Sequence, residues 1–174
     1  MSLKKKGDYM YVLNYQKQVE RISQMIPLRK NEQTYEVYYH DPESGELWKS
    51  FFPYRSENKK GPKLLRPEPL PQNLKHQLEI CLNSGNLADA EGLGIEYSLN
   101  PEKWDEILTH LEENRKKYSR RGFFEFLKFL GVKDSRLTLE ALKIDFGQLS
   151  LSEKEIYSLK KRARMLSLKK FFGI

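Results

Sequence analysis

A single cysteine, Cys81, stands among 174 residues, so no intramolecular disulfide can form and the fold must hold without one. The same lone thiol excludes a cysteine-rich zinc centre. No apolar run approaches the ~20 residues that cross a bilayer. The opening Met1-Ser2-Leu3-Lys4-Lys5-Lys6 is basic, but no apolar stretch follows it, so it does not read as a secretory signal. Nucleotide and hydrolase signatures are also missing. Gly92-Leu93-Gly94 lacks a third glycine at the dinucleotide spacing, no Gly-x-x-x-x-Gly-Lys-Ser/Thr loop occurs, and there is no Gly-x-Ser-x-Gly elbow. These absences set the expectation of a cytoplasmic protein that needs no cofactor.

What the chain does have is aromatic area and charge. Nine Phe, ten Tyr and two Trp supply large side chains for a core, and a chain of this length can bury about 70% of its unfolded surface. The net charge of +7 is unevenly placed. Residues 1–66 carry 13 Lys/Arg against 8 Asp/Glu, residues 67–114 carry 2 against 10, and residues 115–174 carry 16 against 6. Such asymmetry points either to an interaction surface or to two parts of one fold that attract each other.

Along the chain, Asp8 reads as an N-cap, and Val12, Tyr15, Val19, Ile22 and Ile26 follow at helical spacing up to Pro27. Thr34 to His40 alternates like a strand, Asp41-Pro42-Glu43-Ser44-Gly45 has turn chemistry, and Glu46 to Tyr54 returns, which predicts a β-hairpin. Trp48, Phe52 and Tyr54 fall on one face of it and read as a packed face rather than a base-stacking platform, because only Lys49 and Arg55 lie nearby. Residues 55–71, with Gly61 and Pro62, Pro67, Pro69 and Pro71, read as an extended connector. From there helical periods dominate. One face carries Leu74, Leu78, Cys81 and Leu82; residues 86–99 lean to helix despite Gly92 and Gly94; Asn100 and Pro101 mark a helix start. Ser119 opens a Phe-rich helix closed by Gly131, a short helix lies near Leu137–Leu142, and Ser152 with Glu155 forms a capping box. The expectation is an α+β fold, mainly α. An N-terminal portion (1–66) of helix and hairpin leads into a packed helical portion (67–174), the two forming one compact domain.

Two groups of residues could carry function. Glu106, His110 and Glu113 share one helix face, and His76 with Glu79 form a similar pair, which makes a candidate His/carboxylate metal site, but a simply solvated polar face is the stronger reading and no metal is expected. The basic C-terminal third is more informative. Arg115, Lys116, Lys117, Arg120 and Arg121 form one cluster; Lys160, Lys161, Arg162 and Arg164 form a second, with Lys169 and Lys170 beyond. Met165, Leu168 and Phe172 run beside the second cluster. This pattern leads to the expectation of a non-catalytic interaction protein whose basic helical surface meets an acidic protein partner. A nucleic-acid-binding accessory protein using the same residues is the alternative, followed by a His/Glu metalloenzyme.

Overall fold

The computed structural model describes residues 10–56, 59–141 and 149–174. The chain divides into two compact units, Met1–Gln72 and Asn73–Ile174. The fold is α+β and mainly helical, with seven α-helices and a four-stranded antiparallel sheet among the described residues.

The first unit holds α1 (Tyr15–Ile22), β1 (Ile26–Lys30), β2 (Val37–His40), β3 (Leu47–Phe51), β4 (Arg55–Ser56), β5 (Lys59–Lys60) and β6 (Leu64–Glu68). The sheet runs β1-β2-β3-β6, and β4 and β5 form a separate two-stranded ladder. The predicted hairpin is present as β2 and β3, with Val37 opposite Ser50 and Tyr39 opposite Trp48. Its turn closes because Gly45, at φ +73°, donates its N–H to the Asp41 carbonyl at 2.8 Å. The buried Asp41 carboxylate accepts from the Glu43 N–H at 3.0 Å, the Ser44 hydroxyl at 2.8 Å and Arg21 at 2.7 Å.

Burial by itself raises the Asp41 pKa, but the Ser44 and Glu43 hydrogen bonds and the Arg21 charge outweigh it and hold the group below its ordinary value of 3.8. A depressed folded pKa stabilises the fold above the ordinary value, and that contribution is lost as pH falls through the folded one. Acidification below about pH 4 is therefore expected to lower the urea midpoint of the wild type more than that of Asp41→Asn. Equal acid losses in the two proteins would contradict this role.

The first helix is shorter than its apolar spacing suggests. Asp8 lies outside the described residues; the cap is Asn14, whose Oδ1 accepts from the Lys17 N–H at 3.1 Å. Tyr15 and Val19 face solvent, and the buried residue is Gln18, whose Nε2 donates to the Val12 and Lys63 carbonyls, each at 2.7 Å. The polar anchor Gln18 together with Ile22, rather than Tyr15 and Val19, thus sets the rotation of this helix. Val12 instead bridges to Leu65 in extended conformation. Ile26 and Pro27 belong to β1, where proline is tolerated because β1 is an edge strand with a register shift between Pro27 and Arg29.

The proline-rich connector is corrected for the same reason. Its Leu64–Glu68 stretch forms the other edge, with Pro67 opposite Trp48. Met25, Tyr39, Trp48 and Leu65 build the core of this unit, with Val12, Ile22 and Val37 packed against it. Trp48 is therefore a core residue, and β3 ends before Phe52 and Tyr54 can share its face. Along the cross-strand row Arg29, Tyr38, Lys49 and Arg66, the sheet sets Arg29 4.1 Å over the Tyr38 ring, and Lys49 and Arg66 4.8 and 5.1 Å from the Phe51 ring. Strand pairing, invisible in the linear sequence, interleaves these cations with the aromatics.

The second unit holds α2 (Leu74–Asn83), α3 (Leu87–Ser98), α4 (Trp104–Glu113), α5 (Arg120–Leu130), α6 (Ser135–Ala141) and α7 (Glu153–Phe172). Short 3₁₀ turns cover Pro101–Lys103, Arg115–Lys117 and Val132–Asp134. Asn100 makes no side-chain cap, and Pro101 opens only the first of these turns, so the helix proper starts at Trp104. Residues 87–98 are helical although Gly92 and Gly94 disfavour it, because tertiary packing overrides propensity. A Cβ at Gly94 would stand 2.9 Å from the Phe126 carbonyl oxygen, so this glycine is where α3 meets the α5 backbone. Phe123, Phe126, Leu127 and Leu130 are fully buried, and α5 ends at Gly131 with φ +74°.

The last helix forms as its sequence predicts. Ser152 and Glu155 make both bonds of the capping box, and Ile156, Leu159, Ala163 and Leu166 are buried. Ser152→Ala is expected to cost about 1 kcal/mol, read as a shift in the urea midpoint; an unchanged midpoint would show that this cap contributes nothing.

Candidate interaction surface

Helix α7 buries one stripe and therefore must turn the rest of its circumference outward. Tyr157, Lys161, Arg164, Met165, Leu168, Lys169 and Phe172 are all exposed on it. Tyr157, Lys161, Met165, Leu168 and Phe172 follow each other at spacings of three and four, so they form one continuous row.

The basic residues assigned to this helix do not all face the same fate. Arg162 turns back onto α4: its guanidinium donates to Glu112 at 2.8 and 3.1 Å, to the Thr109 hydroxyl at 3.1 Å, and to Asp105. The Glu112 and Asp105 carboxylates outweigh partial burial and raise the Arg162 pKa above its ordinary value. Arg162 is thus paired within the protein, which corrects its placement in an outward-facing surface. Arg164 lies 3.7 Å from Asp134, and Lys160 is half-buried. Of that cluster Lys161 alone is both exposed and without an ion pair among the described residues. Because the Arg162 pairs are partly solvated, Arg162→Ala is expected to lower stability by no more than about 1 kcal/mol. A larger loss in urea unfolding would mark α4–α7 packing as charge-dependent.

The two ends of the basic third do come together. Lys170 and Arg115 are 55 residues apart, and Lys170 Nζ donates to the Arg115 carbonyl at 2.6 Å and the Tyr118 carbonyl at 2.7 Å. Arg120 lies 4.9 Å over the Phe171 ring and donates to the Phe171 carbonyl at 3.4 Å. The result is an open cavity of about 390 Å³ whose lining includes Arg115, Lys116, Arg120, Lys169 and Lys170 but no acidic residue. Partial burial, then the nearby Arg115 and Arg120 charges, lower the Lys170 pKa from its ordinary value. Lys117 and Arg121 are exposed beside this site, and Arg121 joins Arg120 in lining a neighbouring cavity of about 260 Å³.

Phe171, which forms an edge-to-face pair with Phe172 at 5.2 Å, is part of the cavity that sequence reasoning overlooked. The signal available for it was its position between Lys170 and the helix-ending Gly173. The α7 C-terminus is itself capped: Gly173, at φ +73°, and Ile174 both donate to the Lys169 carbonyl.

Glu106, His110 and Glu113 lie along α4, but Glu106 pairs with Lys103 at 2.9 Å. Among the described residues no three His, Cys, Asp or Glu side chains are grouped so that they could hold a metal ion, His76 and Glu79 included. Cys81 is buried on the α2 stripe. No described helix is long and apolar enough to cross a membrane. No family model, curated protein or solved structure matches this chain.

Proposed function

We propose that this chain is a non-catalytic interaction protein that binds an acidic protein partner through the C-terminal end of α7 and the Arg115–Arg121 segment. The observation carrying this reading is the convergence of five cations around one cavity without a carboxylate, while Arg162 nearby is neutralised internally. Unpaired like charges held together favour an anionic partner and steer it by long-range attraction. The exposed row through Met165, Leu168 and Phe172 favours protein over nucleic acid. Apolar side chains can be buried by an amphipathic segment, whereas a phosphate backbone offers them little.

The reading is tested with a synthetic amphipathic peptide rich in Glu and Leu, a scrambled peptide of equal composition, and duplex DNA, each measured by fluorescence anisotropy. The ordered acidic peptide is expected to bind, and both Leu168→Ser/Phe172→Ser and Lys116→Gln/Lys169→Gln are expected to weaken it. Binding of DNA alone, indifferent to Leu168 and Phe172 and falling by orders of magnitude between ~50 and ~200 mM salt, would replace it with the nucleic-acid reading.

A further inference from the structure

We infer that the cavity between the Arg115–Arg120 segment and the end of α7 is a seat for a phosphate-type group, a tetrahedral oxyanion of charge near −2. This rests on the reading of the same surface as the contact for an acidic partner, and it specifies the chemistry of the contact.

The charge count and the donor set both favour phosphate over a single carboxylate. Five cations line the cavity; a single carboxylate matches one of those charges and a phosphate about two. A phosphate carries about two charges and three strong acceptor oxygens, which suits donors arriving from several directions. Here the donors come from two segments: Arg115, Lys116 and Arg120 on one side, Lys169 and Lys170 on the other. The two guanidiniums can each fork onto a pair of oxygens, which an ammonium cannot do. Two of the three Lys170 donors are already committed to the Arg115 and Tyr118 carbonyls. That clamp fixes the spacing of the two segments before any ligand arrives, so binding has side chains to order but not the two backbones.

Two of the carbonyls that would oppose an anion are already satisfied. The C-terminus of a helix carries partial negative charge and would repel an anion. In α7 the Lys169 carbonyl is satisfied by the Gly173 and Ile174 N–H groups and the Phe171 carbonyl by Arg120. Arg120 also rests on the Phe171 ring, so its plane is held at the cavity wall. Lys116 and Lys169 are exposed and have no hydrogen bond or ion pair from their side chains among the described residues. They are therefore the substitutions least able to disturb the fold.

The test uses the full chain labelled with ¹⁵N, titrated with inorganic phosphate and, at matched ionic strength, with acetate. Saturable shifts at Arg115–Arg121 and Lys169–Ile174 with phosphate but not acetate are expected. Lys116→Gln/Lys169→Gln should weaken phosphate at least tenfold. No saturable shift, or one that the double variant leaves unchanged, overturns the phosphate seat. If the acidic peptide still binds in that case, only the phosphate seat falls; if neither binds, the surface reading falls with it. The source of the group is separated with a version of the acidic peptide that carries one Ser, compared with and without phosphorylation of that Ser. A gain of tenfold or more places the phosphate on a protein partner, and an unchanged affinity beside phosphate binding assigns it to a free phosphate compound.

Discussion

Gly122→Ala is expected to destabilise the helical unit by about 3 kcal/mol, lowering the urea midpoint followed by helical circular dichroism. Gly122 sits in the first turn of α5, where that helix meets the end of α2. A Cβ there would overlap the Leu82 carbonyl oxygen and crowd the Ser119 Oγ at 2.9 Å. Both neighbours are already committed. The Ser119 hydroxyl donates to the Leu82 carbonyl and accepts from the Gly122 N–H, while the Ser119 N–H donates to Asn83 Oδ1 at 2.7 Å. One methyl group therefore attacks a helix cap and a helix-to-helix contact together. Gly85→Ala is the matched control. It has φ +80° but open space around its Cβ position, so strain of roughly 1 kcal/mol is all it should cost. Equal midpoints for the two variants would show that α2 and α5 do not meet as tightly as described.

The second large effect concerns recognition. Reversing two exposed cations at the cavity, Lys116→Glu/Lys169→Glu, changes the local charge by four units without removing a described hydrogen bond or ion pair of either side chain. At about 0.5–1 kcal/mol per unit for exposed charges, affinity for the acidic amphipathic peptide should fall about 30- to 1,000-fold at low salt. Lys154→Glu reverses one cation at an exposed position at the start of α7, fifteen residues and about 22 Å of helix from Lys169. Its expected effect is under about threefold, because charges more than a Debye length away are largely screened. Similar losses per unit of charge in the two variants would mean that only overall charge matters and that the cavity is not the site.

Much of the helical unit was legible because its signals are local. A capping box at Ser152, an N-cap at Ser119 and 3–4 spacing of Ile156, Leu159, Ala163 and Leu166 need only a few neighbouring residues to specify them. The sheet was half legible for the complementary reason. The β2–β3 hairpin is local, whereas β1 and β6 are edges recognised only through their partners, and their prolines argue against strand when read alone. The rotation of α1 was misread because one long-range amide, Gln18 to the Lys63 carbonyl, prevails over two exposed apolar residues. At the candidate site, both basic clusters were visible as charge runs, but not which members converge. That depends on Lys170 reaching two carbonyls on the far segment and on Arg162 being taken by Asp105 and Glu112, neither of which a linear pattern encodes.

Amide chemical-shift mapping with the acidic amphipathic peptide is the most direct test of the proposed surface. The largest perturbations are expected at residues 115–121 and along 161–174, saturating together and weakened by added salt. Perturbations centred on the Met1–Gln72 unit, or absent from both basic segments at saturating peptide, would contradict the assignment of this surface as the site of interaction.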